Sequence, residues 1–234
     1  MKKTLFFIAV LLLVSCQKEK ENNNMFTGQY LSKSYYTEDL RMFTTQGEIK
    51  DQDVIQQYLQ KIQSEYNNGN PYVYYDADYP FKGAIDYYVS SMKFNIKFTE
   101  NDKAYFNDSL MTEITLINDI LYLEEMDSTI IWISAYEDIE QIFQCHLLHA
   151  IKMPLLSNNL PYLRGRQCTF FRIQGNKILF PVLAYRLQRN FVGGGNSQCF
   201  GYRNNIYNED NYKYLKQNVV DTLLIQQSYI VLEK

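Results

Sequence analysis

Polar and apolar positions alternate with period two along most of the chain. In Phe94-Asn95-Ile96-Lys97-Phe98-Thr99 the apolar residues fall on one face and the polar ones on the other, as a half-buried antiparallel strand requires. Glu100-Asn101-Asp102-Lys103 then supplies a turn. Between Glu113 and Glu124, Asn118-Asp119 separates two apolar runs and predicts a two-residue hairpin. Its register pairs Ile117 with Ile120, Leu116 with Leu121, Thr115 with Tyr122, Ile114 with Leu123 and Glu113 with Glu124. A one-residue slip would move Ile114, Leu116, Leu121 and Leu123 from core to water, so the register is well specified. Met126-Asp127-Ser128 reads as a turn into a strand over 129–134, whose Ile130, Ile131, Trp132 and Ile133 leave neither face polar. A second hairpin surrounds Gly175-Asn176, pairing Ile173 with Ile178 and Phe171 with Phe180, with Arg172, Gln174 and Lys177 on the other face. Gly193-Gly194-Gly195-Asn196 marks a loop, and residues 223–232 form a late buried strand or hairpin.

One segment has the helical period instead. Asp51 can cap it, and Val54, Ile55, Tyr58, Leu59, Ile62 and Tyr66 recur at spacings of three and four. The sum is a mainly β fold of eight to ten strands: an antiparallel meander closed into a barrel or folded as a sandwich, with one amphipathic helix near residues 51–66. In pattern alone it resembles a lipocalin-like barrel; no lipocalin motif is present.

The first sixteen residues, MKKTLFFIAVLLLVSC, break with this pattern. Lys2 and Lys3 precede ten apolar residues, Leu5 to Val14, too few to span a bilayer and suited to a signal-peptide core. Leu13-Val14-Ser15-Cys16 resembles the lipobox of bacterial lipoproteins. That resemblance implies removal of residues 1–15, diacylglyceryl modification of Cys16 and a membrane-held chain of 234 − 15 = 219 residues. Two or three acyl chains suffice for stable anchoring where one does not. Residues 16–25 form a lipidated polar tether, and 26–234 a single β-rich domain. Lys18 followed by Glu19 resembles the export signal of Bacteroidota-type surface lipoproteins, although Lys20 interrupts the acidic run. The expected location is the outer membrane, displayed at the cell surface or facing the periplasm.

Charge narrows the partners. The chain carries 23 Lys+Arg and 26 Asp+Glu; without the two leader lysines the balance is 21 − 26 = −5. Such a body lacks the basic stripe that nucleic acid needs. Its 46% hydrophobic and 15% aromatic content is ample for a core.

Catalytic signatures are absent: there is no G-x-S-x-G, no H-E-x-x-H, no phosphate-binding glycine loop and no dinucleotide fingerprint. The chain therefore reads as a non-catalytic binding protein without a cofactor. Cys145, His146 and His149 are the metal-ligating types that cluster. On a strand over 141–151, however, positions 145 and 149 stand about 13 Å apart, so no metal site is assigned. Asp76-Ala77-Asp78 and Asn208-Glu209-Asp210-Asn211 lack calcium-loop spacing. Cys145, Cys168 and Cys199 leave an odd count, with Cys168–Cys199 the favoured pair for a bridge and three reduced thiols the alternative. Tyr72, Tyr74, Tyr75 and Tyr79 form the densest tyrosine group, able to stack on sugar rings.

Tyr185 and Arg186 follow Pro181. An unbroken strand would put Arg186 in the core as an anchor for an anionic ligand. A bulge at the proline, the favoured reading, would return it to solvent with Leu183, Tyr185 and Leu187 inside. The partners expected are the membrane through the lipid anchor, and a small or glycan ligand or an envelope protein. A structural part in an outer-membrane assembly is the alternative, and an envelope hydrolase a distant third. Cys16→Ala should abolish incorporation of radiolabelled fatty acid and release the protein from membranes; unchanged retention would overturn the anchor.

Overall fold

The computed structural model describes residues 26–70, 73, 75–91, 93–99, 103–111, 113–132, 147–153, 162–190, 196–207 and 222–234. The fold is mainly β: an antiparallel sheet curled into a half-barrel, with two helices among the described residues. In chain order the strands are β1 (Gly28–Thr37), β2 (Arg41–Thr44), β3 (Gly47–Ile49), β4 (Asn95–Phe98), β5 (Ala104–Phe106), β6 (Ser109–Leu110), β7 (Glu113–Ile117), β8 (Ile120–Trp132), β9 (Leu147–Met153), β10 (Tyr162–Gln174), β11 (Lys177–Asn190), β12 (Asn196–Arg203) and β13 (Thr222–Glu233). Between β3 and β4 lie α1 (Gln52–Asn67) and α2 (Phe81–Ser91). The main path of the sheet runs β6-β5-β4-β1-β13-β11-β10-β8-β7.

The first hairpin has its full predicted register, and the second keeps it as far as Arg172 opposite Leu179, with the expected pair Phe171 and Phe180 falling just past the end of the ladder. Asn118-Asp119 joins β7 to β8 with Glu113 opposite Glu124 and Ile117 opposite Ile120, and both turn residues have positive φ, as a type I′ turn demands. Gly175 (φ 61°) turns β10 into β11 with Ile173 opposite Ile178. The turn expected at Met126-Asp127-Ser128 is instead an irregularity inside one long strand. There β8 continues its pairing with β10 on both sides, from Glu124 opposite Cys168 to Ser128 opposite Arg166. Residues 223–232 form a single strand, β13, at the centre of the sheet. The turn over 100–103 lies mostly outside the described residues.

Asp51 caps α1, its carboxylate accepting from the Asp53 and Val54 amides at 2.9 and 3.4 Å. Ile55 and Ile62 are buried and Tyr58 and Leu59 half-buried. Val54 and Tyr66 remain in solvent, so the buried stripe is narrower than the periodicity suggests. The second helix is an element the strand reading overlooked. Its signal is Phe81, Ala84, Ile85 and Tyr88 at helical spacing behind Pro80, interrupted by Gly83 and Val89.

The core lies between these helices and one face of the sheet. Ile55, Ile62, Phe81, Ala84 and Ile85 pack with Phe94, Leu121, Phe171, Ile178, Phe180 and Ile230. Phe94, Phe106, Phe171 and Phe180 touch at ring centroid distances from 4.4 to 6.2 Å, so aromatic side chains fill this face. The opposite face is covered too. Leu183, Tyr185, Leu187, Leu223, Ile225 and Phe43 form a second cluster beneath Tyr207, held there because Gln227 accepts from the Tyr207 amide and donates to the Asn205 carbonyl.

The sheet forks beside Pro181. β10 pairs with β11 only from Arg172 to Gln174; beyond that β10 takes β9 on this edge, and β11 takes β12 from Leu183 onward. Asn204 fills the fork. Its amide donates to the carbonyls of Phe170 (3.1 Å) and Pro181 (3.0 Å) and accepts from the Phe170 N–H (3.0 Å). In a strand a residue's N and C=O point toward the same edge, so the ring nitrogen of Pro181, which has no hydrogen to donate, also faces the gap. The proline thus occupies a local edge inside a central strand. Asn204→Ala leaves three main-chain groups without these partners and should destabilise the fold by about 2–3 kcal/mol, measured as a lower urea midpoint with unchanged slope.

Candidate functional site

Because the fork absorbs Pro181, the β11–β13 ladder passes through it without a bulge, with Pro181 opposite Tyr229 and Arg186 opposite Leu224. Val182, Ala184 and Arg186 therefore share the helix-covered face, and Leu183, Tyr185 and Leu187 the other; both sets are buried. The bulge that would have sent Arg186 to solvent is absent. Arg186 is 2% exposed, the largest side chain among the fully buried ones described.

Main-chain carbonyls receive its guanidinium. Nη1 donates to the carbonyls of Asp76 (2.6 Å) and Tyr79 (3.3 Å), and Nη2 to that of Tyr75 (3.2 Å). A planar fork of donors suits three converging carbonyls, where a lysine would offer a single point. Burial pushes the guanidinium below its ordinary pKa, while Tyr58 and Asp76 pull the other way. Two further bonds shape the same turn: the Gln63 side chain on α1 accepts from the Ala77 amide (3.0 Å), and Asp76 Oδ1 accepts from the Tyr79 amide (3.0 Å). Tyr58 donates to Gln188 at 2.6 Å and ties α1 to β11; burial raises its pKa and keeps it a donor. The anionic-ligand role expected for Arg186 is thus occupied by the protein's own backbone.

The braced turn carries rings. Tyr75 and Tyr79 stack at 4.6 Å and 20°, and Phe200 meets both edge-on at 4.5 and 5.4 Å. Phe200 stands opposite Arg186 on the β11–β12 ladder and Tyr202 opposite Ala184, so both point to the helix-covered face. Tyr202 in turn contacts Tyr87 (5.4 Å) and Tyr88 (5.8 Å) of α2. Because Phe200 and Tyr202 are neighbours on that one face of β12, the two groups make a single strip of six aromatic residues; burial, and then Tyr79 and Tyr87, raise the Tyr202 pKa. Tyr75 is 42% and Tyr87 47% exposed, so the strip opens to solvent at both of these rings. Chemically it offers flat apolar faces edged by phenol hydroxyls.

Of the residues named from sequence, Tyr75, Tyr79 and Arg186 come together here. Tyr185 does not: it lies on the opposite face, buried, where a Cβ at Gly201 would stand 3.2 Å from its hydroxyl. Tyr72 and Tyr74 lie outside the described residues, as do Cys16, Cys145, His146 and residues 208–211. His149 is on β9. Cys168 is a free, buried thiol beside Glu124 rather than half of the favoured bridge; Cys199 sits on β12 opposite Leu187, its side chain outside the described part. Burial and then Glu124 push the Cys168 thiol up to about 12, so it stays protonated and unreactive. Asp76 and Asp78 are exposed. Phe200, Tyr202, Tyr87 and Tyr88 went unnoticed because three distant segments supply the strip.

Two cavities of about 550 and 470 Å³ lie elsewhere, flanking the Gly175 turn. Comparison with protein families, with curated proteins and with solved structures finds no match. Among the described residues no helix is long and apolar enough to cross a membrane.

Arg186→Met should cost about 2–4 kcal/mol by leaving three inward-facing carbonyls without their donor. It should also weaken the near-ultraviolet circular dichroism of the stacked tyrosines, and Arg186→Lys should restore under half of either loss.

Proposed function

We propose that the chain is a non-catalytic lipoprotein of the bacterial envelope, anchored through Cys16, that holds ring-bearing ligands, glycans foremost, on the aromatic strip. The observation that carries this reading is a set of tyrosines open to solvent at Tyr75 and Tyr87 and backed by the half-buried Tyr79 and Tyr202, with the turn that carries Tyr75 and Tyr79 braced from beneath by a buried arginine. Solvent-open tyrosines fixed this firmly lose little conformational entropy when a sugar ring stacks on them. A lipocalin-like mode, with the ligand inside a barrel, is the weaker form of the idea because phenylalanines fill the helix-covered face.

The placement of the strip suits an anchored protein. Phe26, where the described chain begins, lines the same cavity as Lys177 and Ile178 at the start of β11. Arg186 is eight residues along that strand, about 27 Å away at the usual strand rise. The strip would face away from the tether.

One observation favours the second reading, a structural component of an outer-membrane assembly. Among the described residues the main path of the sheet ends at β6 and β7 without closing, and Ile117 at the end of β7 is 48% exposed. Unpaired strands of this kind accept a partner strand.

A glycan array probed with the detergent-solubilised full chain separates these readings. Oligosaccharide binding that falls about five- to tenfold in Tyr75→Ala and in Tyr87→Ala is expected. No binding to any glycan, with a stable protein complex recovered by crosslinking intact envelopes, would replace the first reading by the second.

A further inference from the structure

The charge around the strip narrows its ligand beyond a ring of any kind. Each of its tyrosines on the braced turn and the outermost one on α2 has an acid beside it in sequence: Asp76 after Tyr75, Asp78 before Tyr79 and Asp86 before Tyr87. All three acids are exposed, and none forms an ion pair among the described residues. The nearest strong cation, Arg186, is buried and turned inward to three carbonyls, so it offers nothing to an anion at the surface. Arg203 belongs to the other face of β12, since it follows Tyr202 by one residue. Within residues 75–91 the charged side chains are Asp76, Asp78 and Asp86 against Lys82, all exposed.

Aromatic faces carry negative electrostatic potential and attract ammonium groups, and carboxylates at their rim add to that attraction. Resting on the glycan reading above, we propose that the strip selects sugar rings bearing free amines, that is, cationic hexosamine oligomers, over their N-acetylated and acidic counterparts. The hydrophobic face of the ring stacks on tyrosine, and its ammonium lies toward the Asp76, Asp78 and Asp86 carboxylates.

Calorimetry with the full chain tests this, using tetramers of glucosamine, N-acetylglucosamine and galacturonate at a mildly acidic pH where the sugar amines are charged. The glucosamine tetramer should bind about tenfold tighter than the acetylated one, with the advantage shrinking at high salt. The D78N/D86N double variant, which leaves the bond from the Tyr79 amide to Asp76 in place and should show an unchanged circular dichroism spectrum, should lose most of that preference and keep its affinity for the acetylated tetramer. Equal affinities, or tighter binding of the acetylated or uronate tetramer, would overturn the charge selection while leaving the aromatic platform standing. A preference that survives undiminished in the double variant would overturn the role of the acids. Failure of all three tetramers to bind would remove the platform reading together with this one.

Discussion

A proline in the middle of a sheet must put its missing donor somewhere, and the organisation of this protein follows from where that is. Pro181 turns its nitrogen toward the one stretch of β11 with no strand on that edge, after β10 has left and before β12 arrives. The ladder to β13 on the other edge is untouched. Side-chain alternation therefore survives the proline, and alternation carries Arg186 into the core. Had the strand bulged, Arg186 would have reached water and the turn over 75–80 would have lost its brace. The fork, with Asn204 seated in it, and the aromatic strip are two ends of one constraint.

Burying an arginine is costly unless its donors are met, and here carbonyls of a turn meet them without a carboxylate among the three partners identified. This arrangement couples two parts of the chain more than a hundred residues apart. It makes the shape of an otherwise exposed loop depend on the register of a central strand. The opposite face shows the same economy: Gln227, a polar residue on a buried strand, fastens the segment that shields its neighbours from solvent.

Local features were legible in the sequence wherever a single segment carries the full signal. Asn118-Asp119 and Gly175-Asn176 define their hairpins because the turn residues and the flanking apolar positions agree, and Asp51 announces α1 because its side chain meets the first free amides. The second helix was hidden because Gly83 and Val89 dilute an eleven-residue signal that Tyr87 and Tyr88 also make compatible with a strand. Pro181 was misread since its tolerance depends on a gap created by other strands, which no window around residue 181 contains. The strip was half legible for the same reason: Tyr75 and Tyr79 stand close together in sequence, whereas Phe200 and Tyr202 reach them only through pairing with β11.

The long central strand also acts as a spacer. Residue 26 lies near one end of β11 and the tyrosine strip near the other, so the sheet sets a fixed stand-off between the start of the described chain and the exposed tyrosines. On the anchored reading proposed above, residues added ahead of position 26 would enlarge the volume this surface sweeps but not change its orientation relative to the body. On that reading its reach and its aim are separately adjustable, the first by the length of chain ahead of residue 26 and the second by the sheet.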